Sequence, residues 1–301
     1  MTTATQALPP PAPGSAAERL EGFTHRYADA GGVRLHYVIG GQGPAVLLLH
    51  GWPFTWIQWR ALMRPLAGRG FTVIAPDLRG SGDSDKPTGP YTKRDEAEDL
   101  HHLVRHLALT DVSVVGADIG TMVAHAYALA YPDEVRRLVL TEALLPGYGL
   151  EARMNPATGG FWHFGFHAQA ELAAMLTAGK EEEYLGGYWA MMSTGGLTDE
   201  DRAQLLRAYC APGGMRGGFE HYATLAEDGR AARAAGRLAM PVLVLSGEHG
   251  LPQQGLLDGA RQAAADVRAD IVPAAGHAIA ADNPSWLAER LARFLLSDGT
   301  A

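Results

Sequence analysis

An aspartate sits where an apolar strand gives way to a helix. Val112–Gly116 is a short run of the kind buried in a sheet, Ala117 and Asp118 follow, and Ile119–Tyr131 carries a helical pattern ending before Pro132. The spacing Gly116-x-Asp118-x-Gly120 fits the sharp strand-to-helix turn on which a nucleophile is raised, with aspartate in the position more often held by serine. Such a turn leaves no room for bulk on either side, and the two glycines supply that. Aspartate is also a favoured helix cap, so companion residues must decide between the two roles.

Three companions are present. His50-Gly51-Trp52-Pro53 directly follows the apolar run Ala45–Leu49. A loop there delivers a backbone N–H to an oxyanion, beside the N–H of the residue after the nucleophile, which makes Trp52 and Ile119 the expected donors. His277, in Ala275-Gly276-His277 after the last strand, comes last in chain order, where a base belongs. Two carboxylates could orient it: Glu142 at the end of the sixth strand and Glu248 after the seventh. Position alone leaves both open. The loop Asp77–Ser84 contains Gly80 and Gly82, but the third glycine of a dinucleotide fingerprint is replaced by Asp85.

A carboxylate nucleophile restricts the chemistry. Towards an acyl carbon it would form an anhydride more reactive than the substrate. Towards an sp3 carbon with a leaving group it forms a stable alkyl ester. Water activated by His277 could then hydrolyse that ester at the Asp118 carbonyl. Epoxides and alkyl halides are the substrates that fit. An epoxide oxygen leaves as an alkoxide and needs an O–H or N–H donor, whereas a halide needs weak donors such as indole N–H groups.

Eight β-rich runs, near 24–29, 33–39, 45–50, 71–76, 112–116, 135–140, 241–246 and 269–272, alternate with helical patterns. The expected fold class is α/β: a mostly parallel eight-stranded sheet flanked by helices. Ala30-Gly31-Gly32 is a hairpin signal between the first two strands. Thr92 and Asp95 form a capping pair for a helix reaching Leu109, and Ser285 is the expected cap of a last helix reaching Leu296. Alternation stops between strands six and seven, where helical runs such as 171–185 and 200–211 dominate. The expected organisation is a flexible Pro/Ala-rich extension over 1–20, a core over 21–146 and 239–301, and a helical cap over 147–238.

The 301 residues are 47% hydrophobic and 19% charged, with a net charge of −8. No basic field exists to attract nucleic acid. No run approaches a membrane span, the start lacks the pattern of a signal peptide, and a cytoplasmic location is expected. The single cysteine, Cys210, is expected to be a buried or half-buried structural residue. His102 and His106 have a spacing that can hold zinc, but they lack the metalloprotease glutamate and are read as a solvated face. No metal and no cofactor are expected.

Together these residues resemble the aspartate-nucleophile branch of the α/β-hydrolases, which includes epoxide hydrolases and haloalkane and haloacetate dehalogenases. The likeness runs from about Glu21 to the C-terminus and is strongest to Cif-type bacterial epoxide hydrolases. It rests on Asp118-Ile119-Gly120, Thr141-Glu142-Ala143, Phe161-Trp162-His163-Phe164, Ala178-Gly179-Lys180-Glu181 and Phe219-Glu220-His221-Tyr222. The resemblance implies that Glu142 is the relay acid, His277 the base, and His163 with Tyr222 the pair that donates to the epoxide oxygen. It also implies a small epoxide as the partner, apolar or aromatic given the lining residues, and is compatible with a homodimer. Three positions depart from the pattern: Ala117 stands where the Cif type has histidine, Pro53 follows general epoxide hydrolases, and His221 stands where a second tyrosine is expected. Ile119 and Met122 occupy the places where haloacetate dehalogenases carry arginine. A non-catalytic relative acting as a binding module is the reading from another class, set aside because nucleophile, acid and base candidates are all present.

Overall fold

The computed structural model describes residues Pro9–Ser297. Eight strands form one sheet: β1 (Phe23–Ala30), β2 (Val33–Gly41), β3 (Ala45–Leu49), β4 (Thr72–Pro76), β5 (Val112–Ala117), β6 (Val135–Thr141), β7 (Val242–Gly247) and β8 (Val267–Val272). Their spatial order is β1-β2-β4-β3-β5-β6-β7-β8. β1 and β2 pair antiparallel, β2 runs antiparallel to β4, and every remaining pairing is parallel. All eight expected strands are present. β3, β5 and β7 are buried along their whole length, which is why their sequences are apolar without alternation. Gly31 and Gly32 turn the first hairpin with φ of 68° and 97°.

Twelve α-helices lie among the described residues: α1 (Arg60–Ala67), α2 (Lys93–His106), α3 (Ile119–Ala130), α4 (Trp162–His167), α5 (Ala170–Thr177), α6 (Glu181–Met192), α7 (Asp199–Cys210), α8 (Gly214–Glu220), α9 (Leu225–Ala235), α10 (Gln253–Ala263), α11 (Ile279–Asp282) and α12 (Pro284–Leu295). α1 packs with α12, and α2 with α3. Helices α4 to α9 all fall between β6 and β7. No helix of the described residues is long and apolar enough to cross a membrane.

Several local expectations need correction. Residues 1–8 of the expected extension lie outside the described residues; of the remainder, Ala17 and Leu20 are buried and Ala16 bridges to Thr24, while most of residues 9–19 are exposed. The capping box of Thr92 and Asp95 is present; its helix nevertheless stops at His106, and the backbone reverses at Ala108, whose φ is 53°. The run expected over 171–185 is two helices, broken at Ala178-Gly179-Lys180, where Gly179 has φ 78°. The last helix is capped by Asn283 with Pro284 in its first turn, not by Ser285. Cys210 is exposed rather than buried, because it ends α7 on its solvent side.

Candidate active site

Asp118 follows β5 immediately, with φ 53° and ψ −123°. A non-glycine residue in such a conformation costs about 1–3 kcal/mol and persists only when its surroundings impose it. Here they do. The Asp118 amide donates to the Thr141 carbonyl at 3.1 Å, and its carbonyl accepts the Thr121 amide at 2.9 Å. The Thr121 hydroxyl lies 2.7 Å from the carbonyls of both Gly116 and Thr141. A side chain on Gly116 would overlap Gly120, and one on Gly120 would overlap the Leu49 carbonyl. The turn is thus held by its neighbours, and the carboxylate is the part left free to point outward.

His277 stands between two carboxylates. Its Nε2 lies 3.4 Å from Asp118 Oδ2, and its Nδ1 lies 2.9 Å from Glu142 Oε2. Glu142 is fully buried and also has a positive φ, 54°. It accepts the Gly247 amide at 2.6 Å and the Leu251 amide at 3.0 Å. Glu248 is exposed and accepts the Ala274 amide at 2.8 Å instead. Of the two acids left open by sequence position, Glu142 is therefore the one beside the histidine.

The electrostatics follow from this geometry. Burial alone would raise the Asp118 pKa, but the bonded and charged His277 outweighs it, and the Ile119 and Trp52 amides add to the lowering. Burial would lower His277, yet Asp118 and Glu142 raise it to about 10. The resting pair is an imidazolium against an ionised carboxylate.

The loop after β3 comes up under the same carboxylate. The Trp52 amide donates to Asp118 Oδ1 at 3.1 Å. His50 holds the loop by donating from Nδ1 to the Gly51 carbonyl at 3.0 Å and accepting the Leu78 amide on Nε2 at 3.0 Å. Gln58 accepts the Gly51 amide at 2.9 Å. Any side chain on Gly51 would overlap Asp118, so the close approach requires glycine there.

Above Asp118 opens a pocket of about 780 Å³ whose lining includes His163, Tyr222 and His277. Its walls are apolar, with Met122, Leu144, Leu150, Phe164 and Leu256 among them. Phe161, Trp162 and Met191 both line it and face solvent, marking its rim. His163 and Tyr222 meet edge to face with ring centres 5.9 Å apart. Burial lowers the His163 pKa, leaving a neutral ring. Burial and then the Asp118 charge raise Tyr222 well above the phenol value, which keeps its proton in place. All seven expected site residues, Asp118, His277, Glu142, Tyr222, His163, Trp52 and Ile119, thus belong to one locus.

Some residues that shape this locus carried no earlier signal. Gly250 lies so close to Glu142 that a side chain would overlap its carboxylate. Asp282 accepts the Gly276 amide at 2.9 Å, the Gly196 amide at 3.0 Å and the Ser193 hydroxyl at 2.6 Å. It thereby ties the base's loop to the segment leaving α6. The glycines at 247 and 250 were the available hint for the first; nothing local marks the second. Among the described residues the metal-type donors that cluster are His36, Asp77 and Asp83. His36 there is engaged by Asp77 and His25, each at 2.8 Å. His102 and His106 are not part of that group.

The family model for the α/β hydrolase fold matches residues 44–284. The chain belongs to this family. Among its hydrolase relatives, the "Soluble epoxide hydrolase" of Corynebacterium sp. (strain C12) is 34% identical over 281 residues, spanning 90% of this chain and 97% of that protein. The "Fluoroacetate dehalogenase" of Burkholderia sp. is 31% identical, spanning 77% of this chain and 80% of that protein. Among solved structures of the fold, epoxide hydrolase CorEH without ligand superposes with a TM-score of 0.82 at 33% identity, covering 91% of this chain and 98% of its own.

Proposed function

We propose that this hydrolase converts an epoxide to a vicinal diol in two steps. Asp118 Oδ2 attacks a ring carbon, the carbon–oxygen bond breaks, and the electron pair goes to the ring oxygen, which takes a proton from Tyr222 or His163. The result is a hydroxyalkyl ester of Asp118. The imidazolium proton of the resting His277 passes to the donor left anionic by ring opening, and the neutral His277 then removes a proton from water, whose oxygen adds to the Asp118 carbonyl carbon. The amides of Trp52 and Ile119 stabilise the oxyanion. Collapse expels the diol, which takes that proton back from His277, and the proton left on the Asp118 carboxyl passes to His277, restoring the resting pair. Residues 147–238 act as the cap that carries both ring-opening donors and excludes bulk water.

The observation that carries this reading is the grouping of two side-chain donors, His163 and Tyr222, in one apolar pocket with an ionised aspartate and its histidine. Intact mass spectrometry of His277→Gln mixed with an aryl epoxide tests it. A gain equal to the whole epoxide, abolished by Asp118→Asn, is expected.

Dehalogenation by the same nucleophile is the second reading, favoured by the similarity to the fluoroacetate enzyme. Against a carboxylate-bearing substrate stand the buried apolar side chains of Ile119 and Met122 beside the nucleophile. An adduct formed only from a chloroalkane, lacking the halogen, would establish it. No adduct from either reagent would sink the covalent mechanism.

A further inference from the structure

Tyr222 has a direction but, within its own side chain, nothing polar to set it. Among the described residues no hydrogen bond engages its hydroxyl, and its ring packs against aromatic neighbours: His167 at 4.6 Å, Phe164 at 5.6 Å, His163 at 5.9 Å and Trp52 at 6.1 Å between centres. Contacts of this kind hold the ring plane but place no hydrogen-bond partner at its tip. The line along which the hydroxyl enters the pocket must then come from the backbone that bears it.

That backbone is clamped one residue earlier. His221 caps the C-terminus of α8, and the Tyr222 amide closes the turn on the Phe219 carbonyl at 3.0 Å. The His221 ring is buried away from solvent among core residues. Its Nε2 lies 3.3 Å from the Ser81 hydroxyl, its Nδ1 pairs with Glu96 Oε1, and its edge meets Tyr91 with centres 5.5 Å apart. Its carbonyl accepts Lys93 Nζ at 3.0 Å, and Lys93 in turn holds Glu96 Oε2 at 2.7 Å. Both ends of His221, ring and carbonyl, are thus gripped by one buried ionic cluster that spans the loop after β4 and the start of α2. Removing one partner of such a buried cluster leaves an uncompensated charge, so its members hold one another in place.

We infer that His221 is a positioning residue for ring opening: held by Glu96, Lys93 and Ser81, it fixes the direction in which the adjacent Tyr222 hydroxyl reaches the substrate oxygen. The inference rests on the donor role proposed above for Tyr222. It separates a residue that touches substrate from its neighbour, which acts through it.

The test measures the two half-reactions separately by rapid-quench intact mass with an aryl epoxide. His221→Phe keeps a ring and loses both polar contacts. It is expected to slow ester formation about tenfold, the size of a coupling between neighbouring residues, and to leave ester hydrolysis unchanged. In a Tyr222→Phe background the same change should add less than about twofold, since the coupling partner is gone. Ser81→Ala removes one contact and should act in the same direction more weakly, which covers the case of a His221→Phe protein that does not fold. Equal slowing of both steps, or equal slowing with and without the Tyr222 hydroxyl, overturns the inference and leaves a structural role. If Tyr222→Phe slows ester formation while neither His221→Phe nor Ser81→Ala does, the inference fails and the functional reading stands. If the parent enzyme forms no ester from an epoxide, both fall.

Discussion

Asp118 faces two partners with its two oxygens: Oδ2 lies 3.4 Å from His277 Nε2, while Oδ1 accepts the Trp52 amide at 3.1 Å. In the mechanism proposed above, the oxygen on the amide side becomes the oxyanion and the other attacks. Hydrolysis at the Asp118 carbonyl then leaves one oxygen from water in the carboxylate. A single turnover in oxygen-18 water is expected to label the peptide containing Asp118 and leave the diol unlabelled. Label in the diol alone would mean direct attack of water on the epoxide.

The same pairing predicts how the base becomes available. Burial disfavours the imidazolium, yet Asp118 and Glu142 hold His277 at about 10, so it is protonated at neutral pH in the free enzyme. Forming the ester removes the Asp118 charge, and losing an anion that favoured imidazolium lowers the pKa. Asp118→Asn imitates that loss. Its His277 ring, titrated by NMR, should have a pKa below that of the parent; an unchanged value contradicts the scheme.

Glu142 is held by two amides and crowded by Gly250. Glu142→Gln keeps the shape but removes the charge that orients and supports the imidazolium. Ester hydrolysis should slow about a thousandfold, somewhat less than for the buried acid of a serine protease triad. Gly250→Ala should displace the carboxylate and cost about tenfold or more in the same step through misplacement. Ester accumulation on mixing with substrate reads both, and a variant that accumulates no ester would remove Glu142 from this role.

Acid stability follows from the buried cluster beside Tyr222. Burial raises the Glu96 pKa, but Lys93 and His221 outweigh it and hold it at about 2. An unfolded glutamate titrates near ~4.3. The stabilisation is therefore complete above that value and is lost as pH falls towards 2, amounting to about 3 kcal/mol in all. Glu96→Gln should melt well below the parent at pH 6, and the gap should narrow by pH 3 in a calorimetric series. A gap of constant size across that range would count against the assignment.

Much of this was readable beforehand because it is local. The strands announce themselves through apolar runs, and Gly116-x-Asp118-x-Gly120 through its need for small neighbours. Position alone did not separate Glu142 from Glu248, since both stand just past neighbouring parallel strands, and only the family resemblance pointed to Glu142. What separates them is tertiary: a positive φ at Glu142 and amides from the loop after β7. The last helix shows the same limit on a smaller scale. Asn283 and Ser285 are both good caps, and the choice follows from Pro284, whose fixed φ suits the first turn. The break at 178–180 has no proline to reveal it, only Gly179 in a left-handed conformation.

Ala117 and Thr141 are partners across β5 and β6, so Asp118 and Glu142 each step off the same rung of the sheet. Their separation is set by the interstrand repeat of about 4.8 Å, a ruler built from backbone alone. The chain departs into α4–α9 only after that rung and rejoins the sheet at β7. A change in the length of that segment therefore leaves the spacing of Asp118 and Glu142 untouched, while the placement of His163 and Tyr222, which it carries, moves with it.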